Sequence, residues 1–201
     1  MTSLLRPVYD GPVSNFYILD KNDHVVETGG HWNEFAEAND APGATDAAVF
    51  GRCVWDMIDG AETRSFLNAV FFWCRRERVG FESLYRCDGP DVLRLYRMIV
   101  EPHAGGFLWV GHRFVSSSLK PSSVTVLSDR LSGARCTMCC HYKVGDQWID
   151  PFAAPAPHDF PSSHVLCPAC RANARDGLFE LSDMSVHQLV AKRRPRSTSS
   201  P

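Results

Sequence analysis

Residues 81–115 read FESLYRCDGPDVLRLYRMIVEPHAGGFLWVGHRFV. Three segments rich in aromatic and β-branched residues, Phe81–Cys87, Leu93–Pro102 and Gly106–Val115, are separated by Asp88-Gly89-Pro90-Asp91 and by Ala104-Gly105. Such side chains suit a pleated, half-buried surface, and the Gly, Pro and Asp breaks let the chain reverse, so the stretch predicts a three-stranded antiparallel meander.

Immediately upstream, Ala61–Arg78 places Phe66, Leu67, Val70, Phe71, Trp73 and Cys74 on a wide apolar stripe, with Glu62 in the first turn where a helix dipole favours an anion. A long amphipathic helix is predicted there, its last turn Arg75-Arg76-Glu77-Arg78 solvated. Further upstream, Asn15–Asp20 (NFYILD) and His24–Thr28 (HVVET) flank the polar turn Lys21-Asn22-Asp23 and read as a hairpin. His31–Ala38 follows with Trp32, Phe35 and Ala36 at helical spacing, and one or two helical turns are expected within Val49–Ile58. A hairpin, short helices, one long helix and a meander predict an α+β domain with helices on one face of a five-stranded antiparallel sheet.

Downstream of the meander the composition changes. Ser116–Pro121 is polar, and beyond it Cys136-Thr137-Met138-Cys139 and Cys167-Pro168-Ala169-Cys170 form two C-x-x-C pairs. The expected organisation is a tail at 1–12, the α+β domain at 13–117, a linker at 118–134 with Val124–Arg130 as a short connector, a metal-binding module at 135–175, and a short helix with a basic tail at 176–201. Two thiolates on one tight turn reach a single ion, and two such turns complete a tetrahedron, which suits zinc. A closed four-thiolate shell leaves no position for water or substrate, so the expected role of Zn2+ is structural. His164, three residues before Cys167, is an alternative ligand, and Cys140 directly after Cys139 is another. The apolar residues between the pairs, Tyr142, Val144, Trp148, Ile149, Phe152 and Phe160, are too few to fold a module without a cross-link, so metal binding is expected to drive its folding.

The bulk properties narrow the functional classes. At 201 residues the chain holds one ordinary domain and a small appendix. A formal net charge of −2 gives no global field to attract a polyanion, which leaves any nucleic-acid contact to a local patch such as Lys192–Arg196. The apolar run Phe66–Cys74 is far shorter than the roughly 20 residues that span a bilayer, and the N-terminal residues lack a signal-peptide pattern. No membrane contact and a cytoplasmic, reducing setting are therefore expected, and that setting favours metal binding over disulfides for the clustered cysteines.

Trp32, Phe35, Ala36 and Asn39, then Gly51 and Trp55, then Glu62-Thr63-Arg64, and Arg86-Cys87-Asp88-Gly89-Pro90 with Arg94 and Met98 together resemble a bacterial group of small PAS-like sensory proteins, over residues 15–115. Cys136-x-x-Cys139 and Ser163-His164-x-x-Cys167-Pro168-x-Cys170 are similar to the cysteine-rich segment that follows such domains, with Lys143 and Trp148 matching and Cys140 standing where that pattern carries a lysine. The resemblance implies a PAS-like sensor of a small ligand or redox state that acts through a protein partner or a homodimer, and it leaves the ligand unnamed. No P-loop, nucleophile-elbow or HExxH pattern occurs, so no catalysis is expected. The runner-up reading is a nucleic-acid-binding regulator using the zinc module and the basic tail.

Other residues carry a functional and a plainer reading. Arg86, Asp88, Arg94 and Arg97 suit an anionic ligand or, more ordinarily, ion pairs. His103 and His112 suit haem ligation or hydrogen bonding. Trp32, Trp55, Trp73 and Trp109 read chiefly as core, and Cys53, Cys74 and Cys87 as inert buried thiols.

Overall fold

A computed structural model describes residues 13–89, 92–120, 131–150 and 163–180. The chain opens with the expected hairpin, β1 (Asn15–Leu19) and β2 (Val25–Gly30). Its turn is held by the Asp20 carboxylate, which accepts from the backbone N–H groups of Asn22 and His24 at 2.8 and 2.9 Å. Helix α1 (Trp32–Ala38) follows, and the Trp32 indole N–H donates to the Ala44 carbonyl at 2.7 Å, fastening the loop that leads to the single turn α2 (Asp46–Val49). A 3-10 turn at Val54–Asp56 precedes α3 (Ala61–Glu77).

Helix α3 starts where it was expected and ends one residue early, because Arg78 takes a left-handed conformation at φ 59°. Thr63, Val70, Phe71 and Cys74 are its buried residues, with Phe66 and Leu67 partly buried beside them. That stripe packs on Leu19, Phe81, Met98, Val100, Leu108 and Val110 of the sheet. Full burial of a side chain the size of Phe71 contributes about 2–3 kcal/mol, so this face supplies much of the fold's stability. Two side chains depart from expectation. Trp73 lies one residue off the stripe and is 45% exposed, because a 100° step per residue carries it to the solvent side. Arg75, expected in solvent, turns inward to pair with Asp23 at 2.7 Å and to donate to the carbonyls of Asp20 and Gly106.

The meander is β3 (Val79–Arg86), β4 (Val92–Pro102) and β5 (Leu108–Leu119). Strand β5 runs past residue 117 into the polar serines, since Leu93, Arg94 and Leu95 pair with Ser118, Ser117 and Ser116 through backbone groups that need no apolar side chain. The remaining elements are β6 (Leu131–Cys136), β7 (Tyr142–Val144), β8 (Gln147–Ile149), β9 (Ser163–Val165), α4 (Pro168–Asn173) and β10 (Leu178–Glu180).

The main sheet has the order β10-β3-β4-β5-β1-β2, every pair antiparallel. The five expected strands are present, and a sixth corrects the count. Leu178, Phe179 and Glu180 pair with Phe81, Gly80 and Val79, so the segment assigned to a short helix and tail begins as an edge strand. Pairing there satisfies backbone groups that the edge of β3 would otherwise leave open. The opposite face of the sheet carries its own cluster of Ile18, Ile99 and Trp109. A second sheet, β8-β7-β6-β9, holds the cysteine segment, with β6 and β9 parallel. The tail at 1–12, the connector Val124–Arg130, Phe152, Phe160, the stretch from Val186 to Val190 and the basic run Lys192–Arg196 lie outside the described residues. Among the described residues no helix is long and apolar enough to cross a membrane.

Candidate metal centre and interior cavity

Cys136 ends β6 and opens a tight turn in which the Cys140 N–H donates to the Cys136 carbonyl at 2.9 Å and the Cys136 N–H to the His141 carbonyl at 2.8 Å. The turn closes through Cys140 at φ 60°. On the facing side, Cys167 caps α4, Pro168 presets the first helical φ, and the Cys170 N–H reaches back to the Cys167 sulfur at 3.4 Å. Both C-x-x-C pairs thus bring their sulfurs to one point.

The four sulfurs of Cys136, Cys139, Cys167 and Cys170 all lie within 4.8 Å of one another, a cluster able to hold a metal ion. Cys139 and Cys167 are 3.8 Å apart, sulfur to sulfur. A disulfide requires about 2.05 Å. A tetrahedral ion with metal–sulfur bonds of about 2.3 Å sets its ligands roughly 3.8 Å apart, so the spacing suits a shared cation. The Cys167 N–H donates to the Cys136 sulfur at 3.4 Å, the kind of contact that favours a thiolate.

Cys136, Cys139 and Cys170 titrate together. The S–H groups of Cys139 and Cys170, directed at the Cys136 sulfur, hold its pKa far below the thiol range. The same contacts push Cys139 up to about 12 and Cys170 well up, because each holds its proton toward the thiolate beside it. A divalent cation removes that conflict by neutralising all four together.

The two alternative ligands stand apart from the cluster. His164 Nδ1 lies 3.0 Å from the Asp59 carboxylate, and that hydrogen bond, with one from the Gly60 N–H, lowers the Asp59 pKa. The Cys140 thiol is directed at the Arg86 carbonyl at 3.6 Å, and burial raises its pKa.

The cysteine module is fastened to the main domain along α3 and β3. Gly60, at φ 83°, touches the backbone of His164 so closely that a Cβ would stand 2.6 Å from its carbonyl oxygen. The hydroxyls of Thr63 and Thr137 share a hydrogen bond of 2.7 Å, and Glu62 accepts from the Leu166 N–H at 3.3 Å and faces Arg171 at 3.1 Å. The Arg86 N–H donates to the Met138 carbonyl at 2.7 Å. Phe66 and Tyr85 pack both on the main core and on the cluster of Cys136, Met138, Leu166 and Cys167.

Tyr85 also lines a cavity of about 200 Å3 between α1 and the sheet, with Asn15, Trp32, Phe35, Cys87, Tyr96 and His112. Its hydroxyl lies 2.9 Å from His112 Nδ1 and its ring stacks on Tyr96 at 5.8 Å. Burial pushes the His112 pKa down to about 4 and the Tyr85 pKa well up, so both are neutral at physiological pH. His103 is not among the cavity's lining residues.

The arginines considered for an anionic ligand are engaged. Arg86 binds Asp88 and Asp150 at 2.6 and 2.9 Å, and Arg97 binds Glu82 at 2.7 Å. Arg94 lies over the Phe35 ring at 5.4 Å, donates to the Cys87 carbonyl at 2.8 Å and reaches the Asn39 side chain. Arg86 and Arg97 thus form ion pairs, while Arg94 is held by a ring and by neutral oxygen acceptors. Sequence reasoning missed Asn15 and Tyr85; each reads as one more strand residue, and only the sheet register brings them to one cavity.

No family model matches this chain, and no curated protein matches it.

Proposed function

We propose that the chain is a non-catalytic signalling protein of the PAS-like kind. Residues 13–120 take up a small ligand, and the cysteine module, closed around one structural zinc ion, passes the change to a protein partner or a second copy of the chain. The order of hairpin, short helices, long helix and meander supports the PAS-like reading. Thiolate ligation of zinc belongs in a reducing compartment, which favours the cytoplasm. A four-thiolate shell keeps no open coordination position, which argues for a structural ion.

One observation carries the coupling: Tyr85 is at once a wall of the cavity and a packing partner of the metal cluster. A ligand that shifts this ring changes the support under Met138 and Leu166. The test is Tyr85→Leu in the full-length metal-loaded chain, followed by amide hydrogen exchange. Protection is expected to fall both at the cavity strands and at the Cys136–Cys140 turn, with metal content unchanged. A change confined to residues 79–119 would remove the coupling from the proposal. The second reading, a nucleic-acid-binding regulator, uses the zinc module together with Lys192–Arg196, and that basic run lies outside the described residues.

A further inference from the structure

The cavity beside Tyr85 has a chemical character that narrows what it can hold. Asn15 is 94% buried, with 6% of its surface exposed, and its side-chain carbonyl Oδ1 has no hydrogen-bond partner. Asn15 lines the cavity, and a buried acceptor left unpaired is costly unless something donates to it. The large side chains of the wall are aromatic, Trp32, Phe35, Tyr85 and Tyr96, with Asn39 and His112 as further polar groups, and among the described residues no Asp, Glu, Lys or Arg lines the space. The nearest guanidinium, Arg94, is committed to Phe35, Asn39 and the Cys87 carbonyl. A cation would therefore enter without a counter-charge, and an anion would meet Arg94 with its Nε and Nη2 groups already donating to Cys87 and Asn39, so either would enter at a desolvation cost. Size narrows the choice too: an apolar cavity of roughly 150 Å3 takes up benzene, so about 200 Å3 admits one or two fused rings.

We propose that this cavity binds a small uncharged aromatic molecule carrying an N–H or O–H donor, which pairs with Asn15 Oδ1 while its rings pack among Trp32, Phe35 and Tyr96. Indole and phenol are the simplest molecules of this class. The proposal rests on the reading of residues 13–120 as a small-ligand sensor, and it adds the class of ligand.

The test uses the full-length metal-loaded chain and titration calorimetry, with tryptophan fluorescence as a second signal. Four probes separate the contributions: indole, naphthalene as a bicycle lacking the donor, benzoate as an anion and benzylamine as a cation. Indole is expected to bind at one site per chain, about tenfold more tightly than naphthalene, since one buried hydrogen bond is worth about that factor. Neither ion is expected to bind. Asn15→Leu should abolish the preference for indole over naphthalene, and Ala44→Phe, which fills the space, should abolish binding of both. Equal affinity of wild-type protein for indole and naphthalene overturns the role of Asn15, and that comparison needs no variant to fold. Binding of benzoate or benzylamine in place of indole overturns the ligand class and leaves the sensory reading standing. Binding of none of the four overturns the proposed ligand class, and silence toward a broad panel of small ligands overturns the sensory reading with it.

Discussion

Cys140 and Cys136 illustrate how far spacing alone resolves a site. Both lie in one five-residue turn, yet Cys136 faces the other three sulfurs while Cys140, at φ 60°, turns toward the Arg86 carbonyl. The C-x-x-C pairs were legible because a metal-binding turn is local. The place of His164 outside the four-sulfur group, with its Nδ1 on Asp59, was not, because Asp59 is 105 positions away in the chain. Cys136→Ser is expected to lose the metal and the amide protection of residues 131–150 and 163–180, whereas Cys140→Ala should retain full metal content by elemental analysis. His112 makes a second residue-scale prediction. Its folded pKa of about 4 lies below the ordinary histidine value of 6.5, so the unfolded chain binds a proton first as pH falls. The stabilising contribution of neutral His112 is complete above about pH 6.5 and is lost as pH falls toward 4, roughly 3 kcal/mol in all. His112→Gln should flatten the dependence of unfolding free energy on pH across that window, and an unchanged slope would count against burial as the cause.

Among the elements, α3 was the most legible and β10 the least. Seventeen residues carrying a continuous apolar stripe identify a helix by period, and the start at Ala61 was read correctly. Three residues of β10 have no period to read, and their pairing with β3 is decided by an available sheet edge. The serine end of β5 was missed for a related reason: ladder hydrogen bonds are blind to side-chain polarity. Phe71→Ala in α3 is expected to cost about 3–5 kcal/mol in denaturant unfolding, since it empties a fully buried site between helix and sheet. Gly60→Val should act on the docking of the cysteine module, because a side chain at φ 83° is strained and would press on the His164 backbone. Raised exchange in residues 163–166 with α3 protection retained is the expected signature, and exchange identical to wild type would show that this contact does not fasten the module.

At the scale of the whole molecule, the sequence reading of an α+β domain followed by a cysteine module agrees with two sheets of six and four strands. What the sequence did not reveal is how closely they are joined. Phe66 and Tyr85 serve both cores, and β10 returns the chain from the cysteine module to the edge of the main sheet. These are contacts between residues far apart in the chain, and no local pattern encodes them. They make the four-cysteine cluster a support for the main domain, so removal of the zinc ion proposed there should also lower the stability of the α3–β3 region. The ligand shell of that centre is tested most directly by X-ray absorption at the zinc edge of the purified chain, together with metal stoichiometry. One zinc per chain with four sulfur neighbours at about 2.3 Å and no nitrogen is the expected result. A nitrogen neighbour at about 2.0–2.1 Å would place a histidine in the shell, and protein that binds no zinc would contradict the assignment of the centre.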